Sequence, residues 1–516
     1  MSVGELEDYS VRTAPEGATP KKLIERAIEL RPLLRDQQEE TEQRGYYSTE
    51  IRDALNEAGF FAAIQPKTFG GLESPIADYY RMIVEIARGC PSTAWCYALG
   101  VGKTLMVSSF YPEEVQREIH ERVGVVHGAY GPGKSSAVPV EGGFIINGTF
   151  NYCSGVPYSN HLLGTAPVNA GSTDDRVSTW AADTKTNLIE FMLPRGSYEI
   201  LDDWGGGRTL GLNGSGSFSV KVENAFVPTR YTMPDVGHLR DPLRDPETGT
   251  VGTRLHGNPM YLGHLEYFLT GEITAVQVGA AQAMIDELEQ AMRTKMGVRG
   301  LYGNSPATQG DFGEAVKLAD GAEAILIRGA EMGAELAERW AETRRLPDPY
   351  ELWKIANMFQ LANSMSWDAG LIAFRQVGTS PLKRGERIQR AFASMVERYE
   401  LVKTSRGKGL MIGIEFGPPR SFALKASWNL LESANKGLFC QLITIPLFKE
   451  EKILTQVAGH GLHVVKLLPP LTISEADVDW IETSFDKVIA ASHRVPGAVW
   501  SLGKTLAESA LKTRAS

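Results

Sequence analysis

Three glycine-rich stretches carry the residue types that could do chemistry in this chain. Residues 128–135, GAYGPGKS, satisfy G-x4-G-K-[ST], the pattern whose backbone amides cradle phosphate. That chemistry needs a helix opening at the lysine, so that the helix N-terminus faces the phosphate. SAVPVEGG follows instead, with Pro139 and two glycines, so nucleotide triphosphate binding is not expected. FNYCSG (150–155) ends a strand pattern with small and hydroxyl side chains. There a backbone can approach a flat ligand and Ser154 can donate a hydrogen bond, although an ordinary turn has the same composition. WGGGRTLGLNGSGSFSVKV (204–222) has six glycines between Trp204 and Gly216, with Ser215 and Ser217 among them. It suits either close backbone approach to a planar or phosphorylated ligand or a glycine-rich hairpin.

Other chemistries find no support. His460 and His463 stand three apart in GHGLH, but no carboxylate or second histidine pair sits at ligand spacing nearby, so no metal site is expected. The nearest approach to a hydrolase elbow, Gly214-Ser215-Gly216, runs into a strand pattern rather than the required helix. No lysine is singled out for a Schiff base. The four cysteines, Cys90, Cys96, Cys153 and Cys440, show no C-x2-C pair, which fits a reducing cytoplasm.

These residues must be positioned by a chain of 516 residues, 43% hydrophobic and 22% charged, enough for a substantial core and more than one domain. A net charge of -9 without a basic block argues against nucleic acid and anionic membrane, and for a small-molecule substrate. A polar N-terminus and the lack of a long apolar run predict neither a signal peptide nor a membrane span. Residues 1–20 read as a flexible arm and 21–122 as an α-helical domain, with two helices between Lys21 and Gly59 and Ser48 and Thr49 as caps for the second. Residues 123–235 alternate and are β-branched, predicting a β-domain. The 3.6 period returns over 255–395 as a bundle of three long helices. Residues 396–490 mix strand candidates (GKGLMIGIEF, FCQLITI, GLHVVKLLPP) with helices, as a small α/β module, and 491–516 read as a C-terminal helix and tail.

Five stretches then matter by their order: IQPKTFGG (64–71), ARGCPSTAW (87–95), GPGKSSAVPVEGGFIINGTFNYCSG (131–155), LGLNGSGSFSVKVENAFVP (210–228) and FRQVGTSPLKRGERIQRAF (374–392). Together, over about residues 20–395, they resemble the acyl-CoA dehydrogenase superfamily. Within it they resemble the flavin-dependent monooxygenases that include hydroxyphenylacetate hydroxylases and amino-sugar nitrososynthases. The resemblance implies a multidomain α+β fold: an N-terminal α-bundle, a central β-domain and a C-terminal α-bundle. It implies reduced FAD or FMN supplied by a separate flavin reductase, a homodimer or homotetramer, and oxygen transfer through a C4a-hydroperoxyflavin. It also implies that Ser154 lies near flavin N5, with Tyr152 and Cys153 lining the same face, and that Gly214, Ser215, Gly216 and Ser217 cover the ring and ribityl chain. Arg375, Gln376, Gly378 and Thr379 match a segment that approaches the flavin tail, usually from a neighbouring subunit.

Two departures bear on the reaction. The glutamate that dehydrogenases of this superfamily use after the last motif has no counterpart, which disfavours an acyl-CoA or acyl-carrier dehydrogenase. Ala393 and Ser394 stand where the monooxygenase branch carries Arg-Asp, and no histidine follows until His460. Either another group such as His127 serves as the base, or the reaction needs none there, or activity is lost. The replacing sequence, VKTSRGKGLMIGIEFG (402–417) and residues 427–480, looks like the C-terminal small domain of class III pyridoxal-phosphate aminotransferases. The large domain with its Schiff-base lysine has no counterpart, so PLP is not expected. Lys466 stands where many such domains carry a carboxylate-gripping arginine, and the module reads as structural or as a docking surface for an aminotransferase or carrier-protein partner. The leading expectation is a monooxygenase acting on an amine, by N-oxygenation, or on a phenol, with an acyl-CoA or acyl-carrier dehydrogenase as the runner-up enzyme. A non-catalytic flavoprotein or scaffold is the reading from a different class.

Overall fold

The computed structural model describes residues 13–120, 126–128, 134–168, 177–178, 188–209, 211–234, 244–297, 300–377, 383–408, 410–434, 436, 438–459, 461–469, 473 and 475–494. Contacts divide the chain into two compact units, residues 1–373 and 374–516.

The first unit opens with three helices, α1 (Pro20–Asp36), α2 (Gln38–Arg44) and α3 (Thr49–Ala58), where the sequence predicts two. The extra break follows from Gln37, which leaves helical geometry between α1 and α2, and from Gly45, whose φ of 93° ends α2. Ser48 caps α3 by accepting from Ile51 N at 3.1 Å. Two longer helices form the centre, α4 (Ile76–Gly89) and α5 (Pro91–Phe110). Beyond Pro91, every α5 side chain except Trp95 and Leu99 is buried. A helix buried on nearly all sides is a core helix, which explains why its sequence lacks an amphipathic pattern. The short α6 (Glu113–Glu118) follows.

The β region forms two sheets. One has the order β1 (Val126–Gly128), β4 (His161–Pro167), β6 (Leu188–Pro194), β9 (Thr232–Pro234); the other runs β5 (Val177–Ser178), β2 (Lys134–Val140), β3 (Gly143–Phe150), β8 (Val220–Pro228), β7 (Glu199–Ile200). Among the strand pairs of the described residues, β1–β4 is parallel and the others are antiparallel. Lys134, the lysine of the phosphate-loop pattern, therefore opens a strand. After α7 (Val251–His256) come α8 (Leu265–Thr294), a two-residue pair β10 (Met296–Gly297) and β11 (Gly300–Leu301), then α9 (Pro306–Thr343) and α10 (Pro349–Val377). Helix α8 packs on α4, α5 and α9. One hydrophobic core joins these helices to the inner faces of the sheets, from Leu23 through Phe191 to Phe359.

The second unit has its own core. It contains α11 (Lys383–Arg398), β12 (Val402–Lys408), β13 (Met411–Phe416), α12 (Phe422–Ala434), α13 (Gln441–Lys449), β14 (Gln456–Val457), β15 (Val464–Leu467) and α14 (Glu475–Ser492). The strands form an antiparallel sheet in the order β12-β13-β15-β14. Ile388, Phe392 and Met395 put the apolar face of α11 into this core, so α11 packs with β12 and α14. FCQLITI, expected as a strand, is a 3-10 turn (Leu438–Cys440) leading into α13. A short apolar run has no periodicity to separate strand from helix, and Ile443 and Leu447 bury at i, i+4 spacing. Residues 1–12 of the expected arm and 495–516 of the C-terminal helix lie outside the described residues.

Candidate functional site

The loop after β3 is built by two residues in the left-handed region. Tyr152 has φ 56° and Gly155 φ 75°, and between them Ser154 N donates to Tyr152 O at 2.9 Å and Val156 N to Cys153 O at 3.0 Å. A non-glycine residue in that region is uncommon and is held here by its surroundings. The loop is tied to the segment before β8: Cys153 N donates to Phe218 O at 3.1 Å and Gly155 N to Ser215 O at 2.9 Å. Gly216, with φ 60°, faces Gly155 so closely that a Cβ on it would lie 3.2 Å from Gly155 Cα. Its amide donates to Gly45 O at 2.7 Å, which brings the end of α2 to the same point. The glycines of the two motifs thus let two loops and a helix end converge.

Three serine hydroxyls line up where they meet. Ser215 Oγ lies 2.7 Å from Ser217 Oγ, which lies 2.8 Å from Ser154 Oγ. Ser154 Oγ also accepts from the indole Nε1 of Trp95 at 3.0 Å. All three serines are buried. Cys96, next to Trp95 on α5, donates its thiol to Ser215 O at 3.0 Å, so one helix turn of α5 grips both ends of the chain of hydroxyls. Tyr152 is 56% exposed and stands edge-on to Trp204, their ring centroids 6.0 Å apart. The Trp204 indole N–H is buried with no hydrogen-bond partner among the described residues.

The structure thus brings together Tyr152, Ser154, Gly214, Ser215, Gly216 and Ser217. Cys153, expected on the same face as Tyr152, is instead a core side chain: it is fully buried, and its thiol donates to Phe150 O at 3.3 Å. Burial pushes that thiol well above the ordinary range, which suits packing rather than chemistry. His127 lies in β1 opposite Leu162 of β4; its side chain lies outside the described residues. Arg375 and Gln376 end α10 and belong to the second compact unit, with Arg375 exposed. Gly378 and Thr379 lie outside the described residues. Sequence reasoning missed two tryptophans, Trp95, which donates to Ser154, and Trp204, which stands against Tyr152. Trp95 closes the ARGCPSTAW stretch and Trp204 opens the glycine-rich one, but an indole is as often core as site.

Residues 29–123 match the acyl-CoA dehydrogenase N-terminal domain family. A pigment production hydroxylase of Rhodococcus sp. is 28% identical over 315 residues, 60% of this chain and 75% of that protein. The flavin-dependent monooxygenase oxygenase subunit HsaA of Rhodococcus jostii is 30% identical over 213 residues, 41% of this chain and about half (51%) of that protein. Among solved structures, XiaF from Streptomyces sp., in complex with FADH2 and glycerol, matches with a TM-score of 0.60 and 20% identity over 70% of this chain and 85% of XiaF, a likeness of fold. No helix among the described residues is long and apolar enough to cross a membrane. The chain carries an acyl-CoA dehydrogenase N-terminal domain in an acyl-CoA dehydrogenase-like fold, and its homologues are flavin-dependent monooxygenases and hydroxylases, which makes it a relative of oxidoreductases of that kind.

Proposed function

We propose that this protein is the oxygenase component of a two-component monooxygenase, in which a reduced flavin from a separate reductase is held against the serine-lined loop and one atom of O2 is transferred to a small molecule. The observation that carries this reading is the line of hydroxyls ending at Ser154. The residues present fit a flavin: neutral hydroxyl and indole donors, including the unpartnered Trp204 N–H, suit a flat ring edged with carbonyls and nitrogens. When bound, the reduced flavin supplies the electrons that activate O2.

The residues of this chain hold and orient it. Ser154 Oγ has two lone pairs, and it can accept from Trp95 Nε1 and from Ser217 Oγ at the same time. With Ser217 in turn accepting from Ser215, the hydroxyls polarise one another and the Ser154 proton is left to donate outward, toward a flavin ring nitrogen. Tyr152 is the exposed ring of the loop and covers the flavin face. Cys96 and Trp95 fix the relay from behind, and the near-complete burial of the three serines keeps water away from it. In this reading Arg375, Gln376, Gly378 and Thr379 approach the flavin tail from a second copy of the chain. The second unit is the aminotransferase-like small domain, a docking surface without PLP. The protein works in the cytoplasm as a homo-oligomer.

Ser154→Ala tests the reading. Reduced flavin still binds, measured by calorimetry without oxygen, but hydrogen peroxide released per product rises about tenfold, the loss of one well-placed donor of roughly 1.4 kcal/mol. An unchanged ratio of peroxide to product removes Ser154 from this role, and failure to bind reduced flavin at all in the wild type removes the proposal.

A further inference from the structure

The helix that supports Ser154 also carries a second feature. Trp95, Leu99, Gly102 and Met106 stand at i, i+4, i+7 and i+11, which puts them on one stripe of α5. Trp95 and Leu99 are partly exposed, whereas the helix from Gly100 onward is buried. The stripe is therefore open at its Ser154 end and closed at Gly102. What closes it is Glu272 of α8, whose carboxylate lies so close to Gly102 Cα that a Cβ there would collide with Oε2. Glycine at 102 makes the room.

Glu272 is fully buried, and neither of its oxygens has a hydrogen-bond partner among the described residues. A buried carboxylate in that state carries a large desolvation cost, so a sequence that only needed packing would place an apolar residue there. Lys103, adjacent to Gly102 and 1% exposed, is the one charged residue in α5 and acts electrostatically on Glu272. From α4, Tyr79 and Tyr80 face the same point; their hydroxyls donate to Ala98 O at 2.8 Å and Phe268 O at 2.9 Å, and burial, reinforced by Glu272, raises both well above the ordinary tyrosine range. They are neutral and already engaged. The Glu272 carboxyl is pushed up to about 8 by burial, with Lys103 opposing the rise.

We propose that Glu272 and Lys103 form the inner end of the substrate cleft, where Glu272 accepts the proton of a hydroxyl on an aromatic substrate lying along the Trp95–Leu99–Gly102 stripe. This rests on the oxygenase reading of the Ser154 loop. Seven steps of helical rise separate Trp95 from Gly102, about 10.5 Å along the axis, a span that one substituted ring can bridge. In the step, which starts from the ionised Glu272 carboxylate and so runs above about pH 8, the substrate O–H bond breaks and its electron pair stays on oxygen. The proton bonds to the Glu272 carboxylate, and the new phenolate lies beside Lys103. The net charge of the buried site is zero before and after. A protonated amine would leave the site with a net positive charge, so the pair favours a phenol-type substrate over an amine. An electron-rich phenolate ring is also the form that accepts an oxygen atom readily, and Glu272 supplies a base where no histidine follows the last motif until His460.

The test uses the full-length protein without flavin, with phenol as the probe, at about pH 9, where free phenol is still mostly neutral. Infrared and ultraviolet difference spectra are recorded on mixing. The expected result is saturable binding with phenolate absorption and the appearance of a protonated-carboxyl band, both lost in Glu272→Gln. Lys103→Met lowers the phenolate fraction about tenfold, because the phenolate loses the positive charge that stabilises it. Far-ultraviolet circular dichroism verifies that both variants are folded. Phenol that binds only as the neutral form, the same phenolate signal in Glu272→Gln, or no saturable binding overturns the proposal. Because no flavin is present, these signals survive if the flavin assignment of Ser154 fails, and the peroxide ratio of Ser154→Ala stands if Glu272 fails.

Discussion

Charge passes from the N-terminal helices onto α8 at two places, and the two are built differently. Toward the far end of α8, Arg88 of α4 grips Asp286 with two hydrogen bonds, 2.7 and 2.6 Å, while Arg35 of α1 adds a longer contact of 3.7 Å. These side chains are between 23% and 45% exposed. Near its start, Glu272 meets Gly102 and Lys103 in full burial with no hydrogen bond on either oxygen. The first arrangement is satisfied and holds helices together; the second carries a desolvation cost that its neighbours do not offset. Proteins retain the second kind where a buried group has a task, and the difference marks which end of α8 is structural and which faces chemistry.

The sharpest way to break this contrast is the pH dependence of stability. The Glu272 carboxyl sits at about 8 against an ordinary 4.5. The folded state therefore holds a proton that the unfolded state has lost, and stability falls as pH rises through that window. Glu272→Gln removes the fall, so at about pH 9 the variant is more stable than wild type by an amount on the order of 4 kcal/mol, from about 1.4 kcal/mol per pH unit. Urea unfolding followed by near-ultraviolet dichroism from about pH 5 to pH 9 reads it; parallel curves for the two proteins would erase the distinction between the two ends of α8.

Gly102→Ala is next in size. Alanine favours a helix interior over glycine by about 1 kcal/mol, yet here its methyl must displace the Glu272 carboxylate, and overpacking of that kind costs roughly 1–3 kcal/mol. A net loss of stability together with loss of the phenol signal is expected, whereas a gain would show that the carboxylate moves aside freely. Arg88→Ala sharpens the other side. Losing two charge-assisted hydrogen bonds from a partly exposed pair is worth about 1–2 kcal/mol, discounted for solvent screening, with no effect on the peroxide ratio. Trp95→Phe is the smallest: it keeps the ring and removes the N–H to Ser154, raising peroxide release a few-fold, the worth of one hydrogen bond of about 1 kcal/mol.

Much of the architecture was legible because its signals are local. The α, β, α order follows from a 3.6 period, then alternation, then a 3.6 period again, and the observed helices and sheets of the first unit fall in that order. Ser48 as a cap and the lack of a helix opening at Lys134 were likewise written in a few neighbouring residues. Legibility failed where a short apolar run carried no period, as in FCQLITI, and where a side chain's direction depended on a turn, as with Cys153, which points into the core while Tyr152 on the same loop points out.

The candidate site divides the same way. Glycines and serines spaced closely in FNYCSG and GSGS announce that two loops come near something flat, since small residues are needed wherever backbones approach. Nothing in the sequence announces Trp95, 59 positions before Ser154, as a donor to it. Nor does it distinguish Glu272 among the 62 acidic residues of the chain, because a carboxylate's task is set by what surrounds it and not by its neighbours in sequence. The sequence by itself determined which segments are helix or strand and where the backbone can come close. Only the tertiary structure decided which acid is buried without a partner and which indole holds the hydroxyls, because burial and hydrogen bonding are properties of residues distant in sequence brought together by packing.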